Sequence, residues 1–168
     1  MLLSDVQKAI SEIDPEEVVK LNSLLDNHSE IIMIGNGGSN AICSHIAQDY
    51  TKLLNKRAYA FSDASRLTCY INDFGMELAY KRFLEDFVVV AKETLVILIS
   101  SSGNSQNIVN CALYCVDHDI PFVIITGFDK MNSLRSRFAL HAELDMYVDS
   151  SSYGVVECVH QVFLHTPV

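Results

Sequence analysis

Short runs in which almost every residue is apolar alternate with longer segments whose apolar residues recur at helical spacing. Such runs are typical of strands buried on both faces of a sheet. They predict strands near 31–35, 57–61, 95–100, 122–126 and 144–148. The remaining segments predict helices near 4–12, 15–27, 39–54, 75–88, 104–118, 131–138 and 152–165. This alternation predicts an α/β fold, with a parallel sheet between two helical layers.

The length of 168 residues suits one domain with a full hydrophobic core. No linker, repeat or low-complexity tract divides the chain. We therefore expect a single domain over residues 1–168, with an N-terminal helical region at 1–28 and the sheet core with the last helix at 29–168. No apolar run reaches the ~20 residues of a membrane span. The first residues also lack the basic start and apolar block of a signal peptide.

The composition narrows the choice of compartment and partner. The five cysteines are an odd number without metal-site spacing, which fits a reducing compartment. We therefore expect a cytoplasmic protein with no membrane partner. The net charge of −9 argues against nucleic-acid binding, which favours a basic surface. It also means that a bound phosphate has to be held by local amides and hydroxyls, because the overall field repels it.

Two loops carry the candidate chemistry. Gly35–Ser39 (GNGGS) follows the first predicted strand, and Ser100–Ser105 (SSSGNS) follows the third. Free amides at a helix start bind anions, and glycine lets the backbone approach a ligand closely. Either loop alone is also explained as a tight connection or a solvated helix start. Together, at strand ends where such sheets bind ligands, they predict a phosphate or sugar-phosphate site. The chain has neither GxGxxG nor GxxxxGK[ST], which disfavours dinucleotides and nucleoside triphosphates.

These loops, with Asp63–Leu67, Asn72–Gly75 and Thr126–Gly127, resemble the sugar isomerase (SIS) family, and most closely its phosphoheptose isomerase branch. The resemblance runs from about residue 30 to 165. It implies a flavodoxin-like three-layer fold with a five-stranded parallel sheet, and a homotetramer with active sites at subunit contacts. The implied activity is conversion of sedoheptulose 7-phosphate to glycero-manno-heptose 7-phosphate through a cis-enediol, in heptose synthesis for lipopolysaccharide or capsule.

The resemblance also implies substrate-binding positions. It assigns the phosphate to the serine loop and the sugar to the glycine turn and one aspartate. The phosphate residues are Ser100, Ser101, Ser102 and Ser105, and the sugar residues are Asn36, Gly37, Ser39 and Asp73.

Proton transfer in the family uses one helix after the glycine turn and the last helix, where some members bind zinc. The matching positions are His45, Gln48, Glu157 and His165, which are the predicted catalytic or zinc-binding residues. An amide cannot act as a base, so Gln48 departs from the family's glutamate, and Glu157 replaces its glutamine. We expect a compensating exchange, with Glu157 and His165 as the base and acid, and His45 and Gln48 orienting the substrate or binding metal. No organic cofactor is expected.

Three further positions bear on this assignment. Gly154 replaces an aspartate of the family pattern at the start of the last helix. Asp49 is a second carboxylate candidate, although it lies ~100° around the helix from Gln48. His160 fits the family spacing less well than His165.

Two other functions compete with this isomerase. One is a sugar-phosphate sensor or a protein-binding regulator without turnover, like an SIS-domain factor that associates with a replication initiator. The other is an isomerase that acts on a different ketose phosphate.

Overall fold

The computed structural model describes residues 2–168, which form one sheet and the helices that cover it. The elements are α1 (Leu2–Ser11), α2 (Pro15–Asn27), β1 (Glu30–Gly35), α3 (Gly37–Leu53), β2 (Arg57–Ala60), α4 (Ala64–Phe74), α5 (Met76–Phe87), β3 (Thr94–Ser100), α6 (Gln106–Asp117), β4 (Phe122–Gly127), α7 (Ser133–Phe138), β5 (Leu144–Val148) and α8 (Tyr153–His165). Met1, which the predicted domain includes, lies outside this range.

The described strands form a five-stranded sheet in the order β2-β1-β3-β4-β5, and every pair is parallel. β1, β3 and β4 are buried at every position, which explains their continuous apolar sequences. β2 lies at an edge and alternates between exposed and half-buried residues. The predicted α/β fold is therefore confirmed.

Successive side chains of a strand point to opposite faces of the sheet, so each strand supplies two cores. Ile31 and Met33 of β1 pack in the core shared with α2, α3 and α8, while Ile32 and Ile34 pack against α5 and α6. The hydroxyl of Tyr50 on α3 donates to the carbonyl of Leu164 on α8 at 2.8 Å, which joins these two helices. Among residues 2–168, no helix combines the length and the apolar character needed to cross a membrane.

Helix α4 was not predicted from the sequence. Its N-cap is Asp63, whose side chain accepts a hydrogen bond from the Arg66 N–H at 2.9 Å. None of its described residues is fully buried, and only one side, at Leu67, Tyr70 and Ile71, packs against the core. The helical signal is weak because the segment buries little apolar surface and is flanked by turn-forming residues.

Candidate functional site

A pocket of ≈ 240 Å³ opens at the carboxyl ends of β1 and β3, between the starts of α3, α6 and α8. Its described lining residues are Asn36, Gly37, Gly38, Ser39, Ile99, Ser100, Ser101, Ser102, Ser105, Tyr153 and Glu157. The structure thus brings the glycine turn, the serine loop and Glu157 together. Tyr153 was missed from the sequence, because nothing in its neighbours marks a tyrosine at a helix start as a pocket residue.

The helices that begin at this pocket have open N-termini. α3, α6 and α8 begin after Asn36, Ser105 and Ser152, and within residues 2–168 none of these side chains caps its own helix. The first amides of a helix have no carbonyl partner in the helix and attract anions. The pocket therefore offers uncharged donors to a negatively charged group.

The serine loop contains a buried hydroxyl without a hydrogen-bond partner among the described residues. Ser101 is 5% exposed, and its Oγ has no hydrogen-bond partner among the described residues. Ser100 and Ser105 are loosely paired, with 3.4 Å between their Oγ atoms. A buried hydroxyl without a partner is unfavourable, so its presence in a pocket suggests that a ligand completes the site.

A turn before α7 supports the serine loop from behind. Gly103 adopts a left-handed backbone, with φ of +63°, and a Cβ there would lie 2.1 Å from the side chain of Asn132. Asn104 accepts hydrogen bonds from the N–H and the hydroxyl of Ser133, at 2.9 and 2.8 Å. The loop conformation therefore depends on glycine at 103 and on the cap of α7.

Glu157 projects from α8 over the first turn of α3. A Cβ on Gly38 would lie 2.5 Å from both carboxylate oxygens, so glycine at 38 leaves the space that Glu157 occupies. A carboxylate in this position is favoured by the partial positive charge of the α3 N-terminus.

The two predicted histidines lie together, but away from this pocket. The Nε2 atoms of His45 and His165 are 3.2 Å apart. The carboxylate of Asp49 lies 3.5 Å from His45 and 3.4 Å from His165. One ligand atom from each of these three residues lies within 4.8 Å of the others.

The structure does not bring the other two predicted zinc-binding residues to this cluster. Gln48 lines a separate groove with Arg66 and Phe87, because a residue one position from Asp49 points ~100° away from it. Glu157 lies two helical turns before His165, about 12 Å along the α8 axis. The carboxylate beside the histidines is Asp49, at i+4 from His45, so Asp49 replaces Gln48 in the candidate metal set.

The hydrogen bonding of His165 suits a metal ligand. Its Nδ1 lies 2.8 Å from the Gln161 carbonyl, which can only accept, so Nδ1 carries the proton. In the neutral ring, Nε2 then presents a lone pair to Asp49 and His45. Such an arrangement is stable when a proton or a cation lies between the three groups. Two imidazoles and a carboxylate are a donor set that zinc prefers.

The remaining residues considered in the sequence analysis lie outside both the pocket and the histidine cluster. Asp73 is exposed at the end of α4, where its carboxylate accepts a hydrogen bond from Asn72 at 2.9 Å, and it does not line the pocket within the described chain. His160 is fully buried, and its Nε2 donates to the Thr126 carbonyl at 3.0 Å. Burial lowers the pKa of His160 to about 4, so this ring is neutral and structural at pH 7. Gly154 is exposed in the first turn of α8.

The fold and the pocket define a sugar isomerase (SIS) domain. A phosphoheptose isomerase of Proteus mirabilis is 35% identical over 143 residues, which cover 81% of this chain and 70% of that protein. One from Aliarcobacter butzleri is 31% identical over 84% of this chain and 75% of its own length. The chain belongs to the phosphoheptose isomerase family.

The solved phosphoheptose isomerase of Neisseria gonorrhoeae matches 98% of this chain and 90% of its own, with a TM-score of 0.80 and 23% identity, which shows the shared fold. Other alignments are partial. The chain spans 61% of the length of a Glaesserella parasuis phosphoheptose isomerase and 54% of one from Histophilus somni. No family model matches the sequence.

Proposed function

We propose that this chain binds a phosphorylated ketose in the pocket and isomerises it to the aldose. Family membership supports this class of reaction. The observation that carries the proposal is the convergence of the glycine turn, the serine loop and Glu157 on one pocket, where the buried Ser101 hydroxyl lacks a partner among residues 2–168. We assign the phosphate to Ser100, Ser101, Ser102 and Ser105, and the sugar to the side of the pocket at Ser39 and Glu157.

Glu157 is the proposed base. Aldose–ketose isomerisation through a cis-enediol needs a group that removes a proton from the carbon beside the carbonyl and returns it to the neighbouring carbon. Among the described pocket residues, Glu157 is the one with a carboxylate. Its carboxylate lies over Gly38 and shares the pocket with the serine loop, so in this proposal a substrate bound by its phosphate presents its carbonyl end to Glu157.

His45, Asp49 and His165 are the proposed zinc ligands, and this set differs from the one predicted from the sequence. Zinc held by these residues would supply a Lewis acid. Asp49→Asn is expected to weaken zinc binding by at least tenfold in calorimetry. Gln48→Glu, one position away, is the matched control, and it leaves zinc binding and turnover unchanged because this side chain faces a different groove. A gain of zinc affinity or of turnover in Gln48→Glu contradicts the revised set.

We propose sedoheptulose 7-phosphate as the substrate, because the curated relatives are named phosphoheptose isomerases. The test is incubation with this ketose in D2O, with and without zinc, followed by mass spectrometry. The expected result is an aldose product that carries deuterium from the solvent. Glu157→Gln is expected to lower the rate by roughly 10²–10⁴-fold. Glu143→Gln, a surface carboxylate 3.5 Å from Lys20, is the control and keeps full activity.

A binding function without turnover is the second candidate. It is favoured by the separation of Glu157 from the histidine cluster, which lies about two helical turns away. Under this alternative, calorimetry detects the sugar phosphate, whereas the D2O incubation produces neither aldose nor deuterium exchange.

We also propose a homotetramer. Its support is the apolar side chains that the described chain leaves exposed around the start of α5, where Phe74, Met76 and Leu78 are 42%, 46% and 50% accessible. Sedimentation velocity tests the assembly, and a monomer at micromolar concentration contradicts it.

A further inference from the structure

Asn36 and Asn107 form a closed pair of hydrogen bonds between the two loops of the pocket. The Asn36 Nδ2 donates to Asn107 Oδ1 at 3.0 Å, and the Asn107 Nδ2 donates to Asn36 Oδ1 at 2.9 Å. Asn107 is 4% exposed and lies in the first turn of α6. Asn107 does not line the pocket within the described chain, and its pairing was not predicted from the sequence.

The pair diverts Asn36 from the role that its position favours. Asn36 is the N-cap residue of α3, and asparagine is among the best capping residues, yet its side chain makes no cap hydrogen bond within the described chain. Its amide is turned to Asn107 instead. The first amides of α3 therefore remain open toward the pocket.

The Asn107 side chain makes a further hydrogen bond at the start of α6. Its Oδ1 also accepts a hydrogen bond from the N–H of Ile108 at 3.0 Å, which fixes the rotamer of the amide at the start of α6. The glycine turn and the start of α6, which follows the serine loop, are thus joined by two partly buried bonds, and the Ile108 N–H fixes the orientation of the Asn107 amide. Polar bonds of this kind favour one geometry, because a shift of either loop leaves donors and acceptors unpaired.

We propose that Asn107 is a positioning residue that holds the glycine turn and the serine loop as one rigid binding surface, so that the sugar end and the phosphate end of a ligand are bound together. This inference rests on the proposed sugar-phosphate function for its ligand, while the amide pair itself is testable without one. In this proposal, inorganic phosphate would contact the serine loop alone, whereas a sugar phosphate would extend across both loops. Loss of Asn107 therefore affects the second ligand more than the first.

The test uses Asn107→Ala and Asn36→Ala, alone and together. Asn110→Ala is the matched control, because Asn110 is a half-buried asparagine on the same helix whose amide donates to the Glu77 carbonyl at 2.9 Å and, in the described chain, not to the pocket loops. Calorimetry is carried out with inorganic phosphate and with sedoheptulose 7-phosphate. Asn107→Ala is expected to weaken the sugar phosphate at least tenfold and inorganic phosphate less than threefold. The double variant is expected to lose no more than the weaker-binding single variant, because both changes remove the same pair. Equal losses for the two ligands, or additive effects, overturn the proposal.

A ligand-free measurement separates this proposal from the proposed function. In NMR spectra of the free protein, the side-chain amide protons of Asn36 exchange slowly with solvent when they are bonded to Asn107. Asn107→Ala is expected to speed this exchange at least tenfold, and Asn110→Ala to leave it unchanged. If the wild-type protein binds no sugar phosphate, the substrate assignment fails. The exchange rate still tests whether Asn36 and Asn107 are hydrogen-bonded to each other. Unchanged exchange in Asn107→Ala overturns the proposal.

Discussion

Two kinds of helix start lie at the carboxyl edge of the same sheet. α4 and α7 begin with side-chain caps, since Asp63 accepts from the Arg66 N–H at 2.9 Å and Asn132 accepts from the Arg135 N–H at 3.1 Å. Both caps lie outside the residues that line the described pocket. The capped helices satisfy their first amides within the chain.

The helices at the pocket, by contrast, begin without side-chain caps among residues 2–168, and we call these their open starts. The N-cap residues of α3, α6 and α8 leave their helices without side-chain caps in the described chain. The pocket is lined by residues of α3 and α8 and by Ser105, the N-cap of α6. An uncapped start costs about 1 kcal/mol of helix stability. Among these five helix starts of the described chain, the first amides are left free at the three that border the pocket, and a side chain caps the two that do not. Substitutions at the two kinds of start should therefore separate stability from binding.

The largest expected effect comes from Gly103, a residue of the serine loop that packs against Asn132, the N-cap of α7. Gly103→Ala places a side chain on a left-handed backbone and drives it into Asn132, which caps α7. We expect a loss of about 2–3 kcal/mol in unfolding free energy, from about 1–2 kcal/mol of backbone strain and about 1 kcal/mol of lost capping. Gly37→Ala is the control, because its φ of +52° carries the strain while its Cβ meets nothing within 4 Å. Urea denaturation measures both, and equal losses would refute the contact with Asn132.

The next effect is on binding alone. Ser101→Ala removes a buried hydroxyl that has no partner in residues 2–168, so we expect an unchanged or slightly higher melting temperature. The same change removes a donor to the phosphate and should weaken sugar-phosphate binding about tenfold, or about 1.4 kcal/mol. Ser136→Ala, on α7 and outside the pocket, is the control for loss of a serine hydroxyl. Calorimetry and thermal unfolding measure the two quantities, and normal affinity in Ser101→Ala argues against a phosphate at this hydroxyl.

The part of the site that depends on strand order could be predicted from the sequence. Gly35–Ser39 and Ser100–Ser105 lie at the ends of strands that are buried at every position, and these strands, β1 and β3, are neighbours in the sheet. Because the strands are parallel, the two loops meet at one edge. Their convergence around one pocket therefore follows from chain order and burial.

The part that depends on the direction of a helix could not be predicted in the same way. One residue turns a side chain by 100°, so the choice between Gln48 and Asp49 depends on how α3 rotates against α8. The contact between Tyr50 and Leu164 helps to set that rotation, and sequence periodicity does not encode it at this precision. The pairing of Asn36 with Asn107 is likewise a contact between distant residues that carries no local signal.

A smaller effect is expected at the capped starts. Asp63→Ala removes the cap of α4 and should lower the unfolding free energy by about 1 kcal/mol without changing the affinity for sugar phosphate. Ser105→Ala, at the open start of α6, should weaken sugar-phosphate binding without lowering the unfolding free energy, because Ser105 makes no cap bond to α6 in the described chain. Urea denaturation and calorimetry on the two variants test this exchange. A stability loss in Ser105→Ala equal to that in Asp63→Ala would remove the distinction between the two kinds of start.

The smallest effect is a pH dependence of stability set by two groups with opposite signs. Burial lowers the pKa of His160 to about 4, so its stabilising contribution is complete above pH 6.5 and is lost as the pH falls toward 4. Burial, with repulsion from Asp14 and Asp145, raises the pKa of Glu17 to about 7, so its contribution is complete below pH 4.5 and is lost as the pH rises through 7. The two slopes oppose each other between these limits.

Glu17→Gln should remove the opposing contribution and leave the pH dependence of stability that His160 sets. His160 lies on α8 and bonds to the Thr126 carbonyl of β4. We expect the melting temperature of Glu17→Gln to fall by a few degrees more than that of the wild type between pH 6.5 and 5, at about 2–4 °C for each kcal/mol. Glu16→Gln, an exposed neighbour on the same helix, is the control and should follow the wild type. Scanning calorimetry at half-unit pH steps measures the slopes. Parallel curves of melting temperature against pH for Glu17→Gln and the wild type would show that Glu17 does not titrate in this range.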